Sequence, residues 1–201
     1  MIEGKSMASI AKVIAIGAST GGTNAIYDIL KEFENAELPG IVIVQHMPPV
    51  FTALYAERLN KNCIFDVKEA TDGDEITPGK VLIAPGGFHM MVEKKGSQYF
   101  IRTQKGLEED KVNGHCPSVD VLFHSIAKEV GKKAIGVLLT GMGKDGAQGL
   151  LAMRNKGAMT IGQDEKTSIV YGMPKAAYEI GAVTKQLPLE SIARELYEMT
   201  R

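Results

Sequence analysis

The run Ile41-Val42-Ile43-Val44 constrains the fold more than any other segment. Consecutive β-branched side chains favour an extended backbone. A strand with one wet face alternates apolar and polar residues. An unbroken apolar run marks a strand buried on both faces, as in a parallel sheet covered by helices on each side. Similar runs occur at Lys12–Ile16, broken by Gly17, at Ala134–Leu139 and, shorter, at Met159–Ile161. Between them the apolar spacing becomes helical. Ala25, Ile26, Ile29, Leu30 and Phe33 share a face over Thr23–Phe33, and Phe51, Leu54, Tyr55 and Leu59 do so over Phe51–Leu59. Further helices are predicted over Ser118–Val130 with Ser118 as N-cap, over Ala147–Asn155, over Pro174–Ile180 and over Leu189–Met199. The middle carries short strands at Ile64–Glu69, Val81–Ala84, Met90–Glu93 and Tyr99–Arg102, the last two a hairpin around Lys95-Gly96. This alternation predicts an α/β fold: a doubly wound, mostly parallel sheet with helices on both faces, an antiparallel hairpin and Rossmann-like topology. With 201 residues and no internal repeat, the chain reads as one domain over residues 12–201. Residues 1–11 read as a leader or linker remnant, with no apolar core for a signal peptide.

Composition narrows the function. The 23 basic and 24 acidic residues leave a net charge of −1, which gives no electrostatic case for binding nucleic acid or an anionic membrane. No stretch approaches the ~20 apolar residues of a membrane span, so no membrane insertion is expected. Cys63 and Cys116 are too few for a disulfide framework and lack metal-ligand spacing. Two free thiols in a reducing, cytoplasmic setting are expected, with no metal and no cofactor.

In open α/β sheets, ligands bind beyond the carboxyl ends of the strands. Gly17-Ala18-Ser19-Thr20-Gly21 follows the first strand and fits G-x-S-x-G in strand–turn–helix context. The turn lifts the serine clear, and the following helix offers backbone N–H groups to an oxyanion. A serine that merely caps that helix, or a phosphate-binding turn, is the competing interpretation. Gln45-His46-Met47 follows the second strand. His89 opens a strand, His115 lies in a loop and His124 lies inside a helix, so each has a structural explanation; His46 has the strand-end placement. Asp145 sits among glycines in Gly141-Met142-Gly143-Lys144-Asp145-Gly146, whereas Asp72 and Asp74 read as turn residues and Asp120 as a first-turn helix acid. Ser19, His46 and Asp145 make up the inventory of a Ser-His-Asp hydrolase. A rival is embedded in the same loop. Gly141–Gly146 is a literal G-x-G-x-x-G, with Asp164 and Glu165 downstream as ribose acids, which would make a Rossmann-type nucleotide or phosphate module. Against it, Asp145 would repel a pyrophosphate. A generic α/β-hydrolase would need a histidine after the acid, and no histidine follows Asp145.

Gly17–Ala25 (GASTGGTNA), Val44–Pro49 (VQHMPP), Ile83–Met90 (IAPGGFHM), Pro117–Ser125 (PSVDVLFHS), Leu138–Met153 (LLTGMGKDGAQGLLAM) and Val170–Ala177 (VYGMPKAA) together resemble the catalytic domain of CheB-type chemotaxis receptor methylesterases. The resemblance runs from about Val13 to the C-terminus. It implies hydrolysis of glutamate methyl esters on bacterial chemoreceptors, with deamidation of certain receptor glutamines. It also implies Ser19 as nucleophile, His46 as general base and Asp145 as its orienting acid. The backbone N–H of Met142 is the implied oxyanion donor, and Thr20 is placed to assist. The family usually carries an N-terminal receiver domain. None precedes the first strand, so the chain reads as an isolated catalytic domain. Cys116 stands where the family commonly has arginine.

Overall fold

The computed structural model describes residues 12–35 and 37–201; the leader or linker remnant expected at 1–11 lies outside the described residues. Among the described residues, nine strands and six α-helices follow in the order β1 (Val13–Ala18), α1 (Gly22–Lys31), β2 (Gly40–Gln45), α2 (Phe51–Asn62), β3 (Asp66–Glu69), β4 (Lys80–Ile83), β5 (Phe88–Lys95), β6 (Gln98–Lys105), α3 (Val119–Glu129), β7 (Ala134–Leu138), α4 (Ala147–Asn155), β8 (Met159–Gln163), α5 (Met173–Glu179), β9 (Lys185–Leu187) and α6 (Leu189–Met199). Seven strands form one parallel sheet in the order β3-β4-β2-β1-β7-β8-β9. β5 and β6 form a separate antiparallel hairpin.

Because side chains alternate across a strand, the continuous apolar runs feed two cores at once. In β1, Val13 and Ala15 point to one face, while Ile14, Ile16 and Ala18 point to the other. The first face is covered by α3, α4, α5 and the hairpin, through Phe123, Leu150, Ala177 and Ile101. The second is covered by α1, α2 and α6, through Ile26, Leu59 and Leu196. The doubly wound α/β architecture expected from the sequence is the one observed.

Three boundaries differ from the sequence expectation for physical reasons. β1 continues through Gly17 to Ala18. Gly17 is there for close packing, not for a turn: a Cβ at this position would stand 2.2 Å from Val119 Cγ1. The hairpin strands are twice as long as their apolar centres suggest, because ladder hydrogen bonds carry exposed polar residues along at both ends. β9 has no apolar pattern and forms a short edge strand with two of its three residues exposed.

The sheet order fixes where a ligand can sit. On one side of β1 lie β2, β4 and β3, the chain running from β2 to the edge at β3 before returning to β4, and on the other side it winds outward through β7, β8 and β9. The winding direction therefore reverses between β1 and β7, and the loops leaving their carboxyl ends part there. Ser19 follows β1 and Asp145 lies in the loop after β7.

Candidate active site

Ser19 lies in the turn between β1 and α1. Its N–H donates to Thr140 O (3.0 Å), and its carbonyl accepts from Gly22 N–H (2.8 Å). The N-cap of α1 is Gly21, at φ 82 with no side-chain cap, so the Ser19 hydroxyl is not spent on the helix. The loop after β7 approaches closely because residue 141 is glycine. A Cβ there would stand 2.7 Å from Ser19 Cβ.

His46 is held against this turn by its own backbone. Its N–H donates to Ala18 O (3.1 Å). The neighbouring Gln45 Nε2 donates to both Ser19 O (2.9 Å) and His46 O (3.2 Å), so one amide ties the two turns together. The buried His46 ring places Nε2 2.8 Å from Asp145 Oδ2. An ionised carboxylate only accepts, so Nε2 carries a proton, and in the neutral ring the lone pair is on Nδ1. Nδ1 is buried without a hydrogen-bond partner among the described residues. Ser19 Oγ forms no hydrogen bond to it there.

Asp145 is 1% exposed and is the electrostatic hub of the site. Oδ2 accepts from His46 Nε2 and from Val119 N–H (2.7 Å). Oδ1 accepts from Ser118 Oγ (2.7 Å), Asn113 Nδ2 (3.0 Å) and Asp120 N–H (3.2 Å). The carboxylate thus faces the N-terminus of α3, where free N–H groups and the helix dipole favour negative charge. Burial alone would push its pKa up. The hydrogen bonds from His46, Asn113, Ser118 and Val119 outweigh burial and hold it down at about 2. Asp145 is not the N-cap of α4. That position is Gly146, at φ 89, where a Cβ would stand 2.6 Å from Val119 Cγ1. Gly17 and Gly146 together let Val119 seat its N–H on the carboxylate.

This depressed pKa has a stability signature. The unfolded value is near ~3.9. The stabilisation is therefore fully present above about pH 4 and is lost as pH falls through about 2, a change of about 2 kcal/mol. Urea midpoints of the wild type and Asp145→Asn, measured between pH 6 and pH 2, should converge by that amount on the acid side. A constant difference across the range would contradict the assignment.

The other histidines separate cleanly. His89 is buried; its Nδ1 accepts from Ser118 N–H (3.3 Å), so Nε2 donates to Asp110 O (2.9 Å). It is structural. His124 is exposed on α3. His115, expected as a plain loop residue, stacks on His46 with ring centroids 3.7 Å apart and planes 13° apart. Burial first, then the electrostatic influence of the stacked His46 ring, lowers its pKa against the opposing pull of Asp145. The ring is therefore neutral at pH 7.

Sequence reasoning missed Gln45, Asn113 and His115, and it gave Ser118 and Asp120 only half of their roles. Ser118 does cap α3, accepting from Val121 N–H (3.4 Å), while its hydroxyl proton goes to Asp145. Asp120 is buried and accepts from Gly149 N–H (2.7 Å) and Asn113 Nδ2 (2.8 Å). The available signal was the Asn113-Gly114 pair, a turn dipeptide next to His115. Asp72 and Asp74 are turn residues as expected: Asp74 accepts from Thr71 N–H and Asp72 from Thr103 N–H.

Thr20, directly after Ser19, and Met142, directly after the Gly141 that packs on Ser19, are both exposed. No backbone carbonyl among the described residues takes either N–H, so both donors are free for an incoming oxygen. The dinucleotide reading of Gly141–Gly146 does not fit the geometry. Gly141 is covered by the chain after β8: its N–H donates to Val170 O, and its carbonyl accepts from Gly172 and Met173 N–H. Asp164 is used in a local turn by Thr167.

The family model for CheB methylesterase matches residues 14–196. The chain belongs to the CheB methylesterase family. The crystal structure of the Thermotoga maritima CheB methylesterase catalytic domain superposes with a TM-score of 0.89 at 39% identity, covering 94% of this chain and 98% of that one. Among curated relatives, "Protein-glutamate methylesterase/protein-glutamine glutaminase 2" of Syntrophomonas wolfei is 58% identical over 196 residues, 98% of this chain and 56% of the relative. "Protein-glutamate methylesterase/protein-glutamine glutaminase" of Syntrophotalea carbinolica is 56% identical over 188 residues, 94% of this chain and 52% of the relative. The chain spans about half the length of these curated relatives. Cys116 lies directly before Pro117. It is a half-buried free thiol beside the cleft formed by His46, Met47, Lys111 and His115, and burial raises its pKa. Cys63 is likewise free. No helix among the described residues is long and apolar enough to cross a membrane.

Proposed function

We propose that this chain is a serine hydrolase that removes methyl esters from glutamates of bacterial chemoreceptors and deamidates specific receptor glutamines. Its proposed triad is Ser19, His46 and Asp145. The observation that carries the reading is the His46–Asp145 pair, whose unprotonated Nδ1 is buried without a partner, in a turn tied by Gln45 to the turn of Ser19. An unspent serine hydroxyl, an unspent imidazole lone pair and two free N–H groups are what acyl transfer requires.

Ser19 Oγ attacks the ester carbonyl carbon as His46 Nδ1 takes its proton. The C–O bond to the carbonyl oxygen becomes single, and the oxyanion is held by the N–H groups of Met142 and Thr20. Each such donor is worth roughly 3–4 kcal/mol in a comparable hydrolase. The bond to methoxide then breaks, and Nδ1–H protonates the leaving group to methanol. Water, deprotonated at the same Nδ1, attacks the acyl-enzyme and releases glutamate and Ser19. For glutamine the leaving group is ammonia. Asp145 stays ionised throughout and holds the proton on Nε2. The partners are the cytoplasmic helical regions of methyl-accepting receptors, with a receiver domain as the regulatory partner usual in the family, and the setting is cytoplasmic. Residues 12–201 act as the catalytic unit, with no metal or cofactor in the chemistry.

The test is methanol release from receptor bearing methylated glutamates. Release at a rate above the receptor alone supports the reading, and no release sinks it.

A further inference from the structure

Residues Val112–His115 form a miniature hairpin. Val112 N–H donates to His115 O (3.1 Å) and His115 N–H to Val112 O (3.0 Å). Asn113 and Gly114 at its tip both have positive φ, 53° and 81°. That is the type I′ turn that Asn-Gly pairs favour, because both central residues must adopt left-handed backbone. The turn has two functional side chains. Asn113 Nδ2 gives one proton to Asp145 Oδ1 (3.0 Å) and the other to Asp120 Oδ2 (2.8 Å). His115 lays its ring on the face of the His46 imidazole. One rigid turn therefore touches both members of the pair.

We propose that this hairpin is a clamp, with Asn113 and His115 as positioning residues that hold the Asp145 carboxylate and the His46 ring plane in register. The physical need is clear from the packing. A planar imidazole joined to its acid through a single Nε2–H can still rock about that bond. The His115 face blocks rocking to one side, and Asn113, with Ser118 and Asp120, fixes the far oxygen of the carboxylate, so the acid cannot rotate to follow. Asn113 also separates two buried carboxylates that would otherwise face each other, which keeps Asp120 on the α4 backbone and Asp145 on His46. Misplacing a catalytic group by about 1 Å can cost ~100-fold in rate, so preventing such motion has a measurable effect.

The inference rests on the esterase reading, but its test need not. The Nε2–H proton bonded to Asp145 gives a downfield imidazole resonance in proton NMR, read without substrate. Asn113→Ala and His115→Ala should broaden or lose that resonance and lower kcat by ~10–100-fold, with KM little changed. His115→Phe keeps a flat face on His46 and should restore both the resonance and most of kcat. Gly114→Ala is a second route to the same result. A Cβ there meets nothing within 4 Å, yet the positive φ strains the turn, so it should displace both side chains without disturbing the core. A sharp resonance and wild-type kcat in the two alanine variants would overturn the clamp. So would a His115→Phe variant as impaired as His115→Ala, since that outcome assigns His115 a chemical role. A domain that releases no methanol but loses the resonance in the variants retains the clamp and loses only the esterase.

Discussion

Ser19→Ala should lower methanol release from methylated receptor by on the order of 10⁴-fold or more, with unchanged melting temperature and unchanged receptor affinity. Both halves of this expectation come from the same observation. The Ser19 hydroxyl caps no helix, and among the described residues only the Ser19 backbone is hydrogen-bonded, to Thr140, Gly22 and Gln45. Removing one oxygen atom therefore leaves the fold's hydrogen bonds intact and deletes only the proposed nucleophile. Residual turnover would come from the oxyanion donors and substrate binding, as in other triads. Methanol release within tenfold of wild type would remove Ser19 from the mechanism while leaving the fold untouched.

Asp145→Asn should be almost as damaging, about 10⁴-fold in kcat by comparison with the equivalent change in another serine hydrolase. The local hydrogen bonds explain why. Five donors converge on the carboxylate, two on Oδ2 and three on Oδ1. Asparagine has one acceptor oxygen and one NH₂ group. The three donors from Ser118, Asn113 and Asp120 select the oxygen for the Oδ1 side. The NH₂ then faces Val119 N–H and His46 Nε2. To accept from it, His46 must give up its Nε2 proton and carry the proton on Nδ1 instead. That is the wrong tautomer for taking a proton from serine. The variant should bind receptor normally, melt at a lower temperature because two donors now face each other, and release methanol at a few parts in ten thousand or less. A variant within tenfold of wild type would show that Nε2 does not need an acceptor and would undo the proposed role of Asp145.

Much of the fold was legible because the local signals agreed with one another. Ile41–Val44 could be only a doubly buried strand. The α4 and α6 boundaries fell where periodicity placed them. Ser118 is the N-cap its sequence position predicted. β9 was invisible because an edge strand exposes its side chains and is held by backbone pairing to β8 alone. The site divides along the same line. Ser19, His46 and Asp145 each follow a buried strand, so topology alone delivers them to one sheet edge. Gln45, Asn113 and His115 act through contacts across 26 to 69 residues of chain, and no local pattern encodes such a contact. Gly17, expected to break the first strand, lies inside it. Gly17 and Gly146 make room for Val119, which then reaches Asp145, and the space they leave is filled by the protein itself.

The ring orientation of His46 has one more consequence. Nε2 is the far nitrogen of the imidazole and Nδ1 the near one, attached through Cγ to the Cβ stem. On the proposed mechanism the acid holds the tip of the ring and the base works from its root. A base at the root has a short lever arm: its position follows the main chain of residue 46 more than the swing of the ring. The bond from His46 N–H to Ala18 O and the shared amide of Gln45 therefore act as the gauge blocks of the reaction distance. On that mechanism, tolerance to change is set by the lengths of the two strand-end turns, which leave no slack for an inserted residue in either.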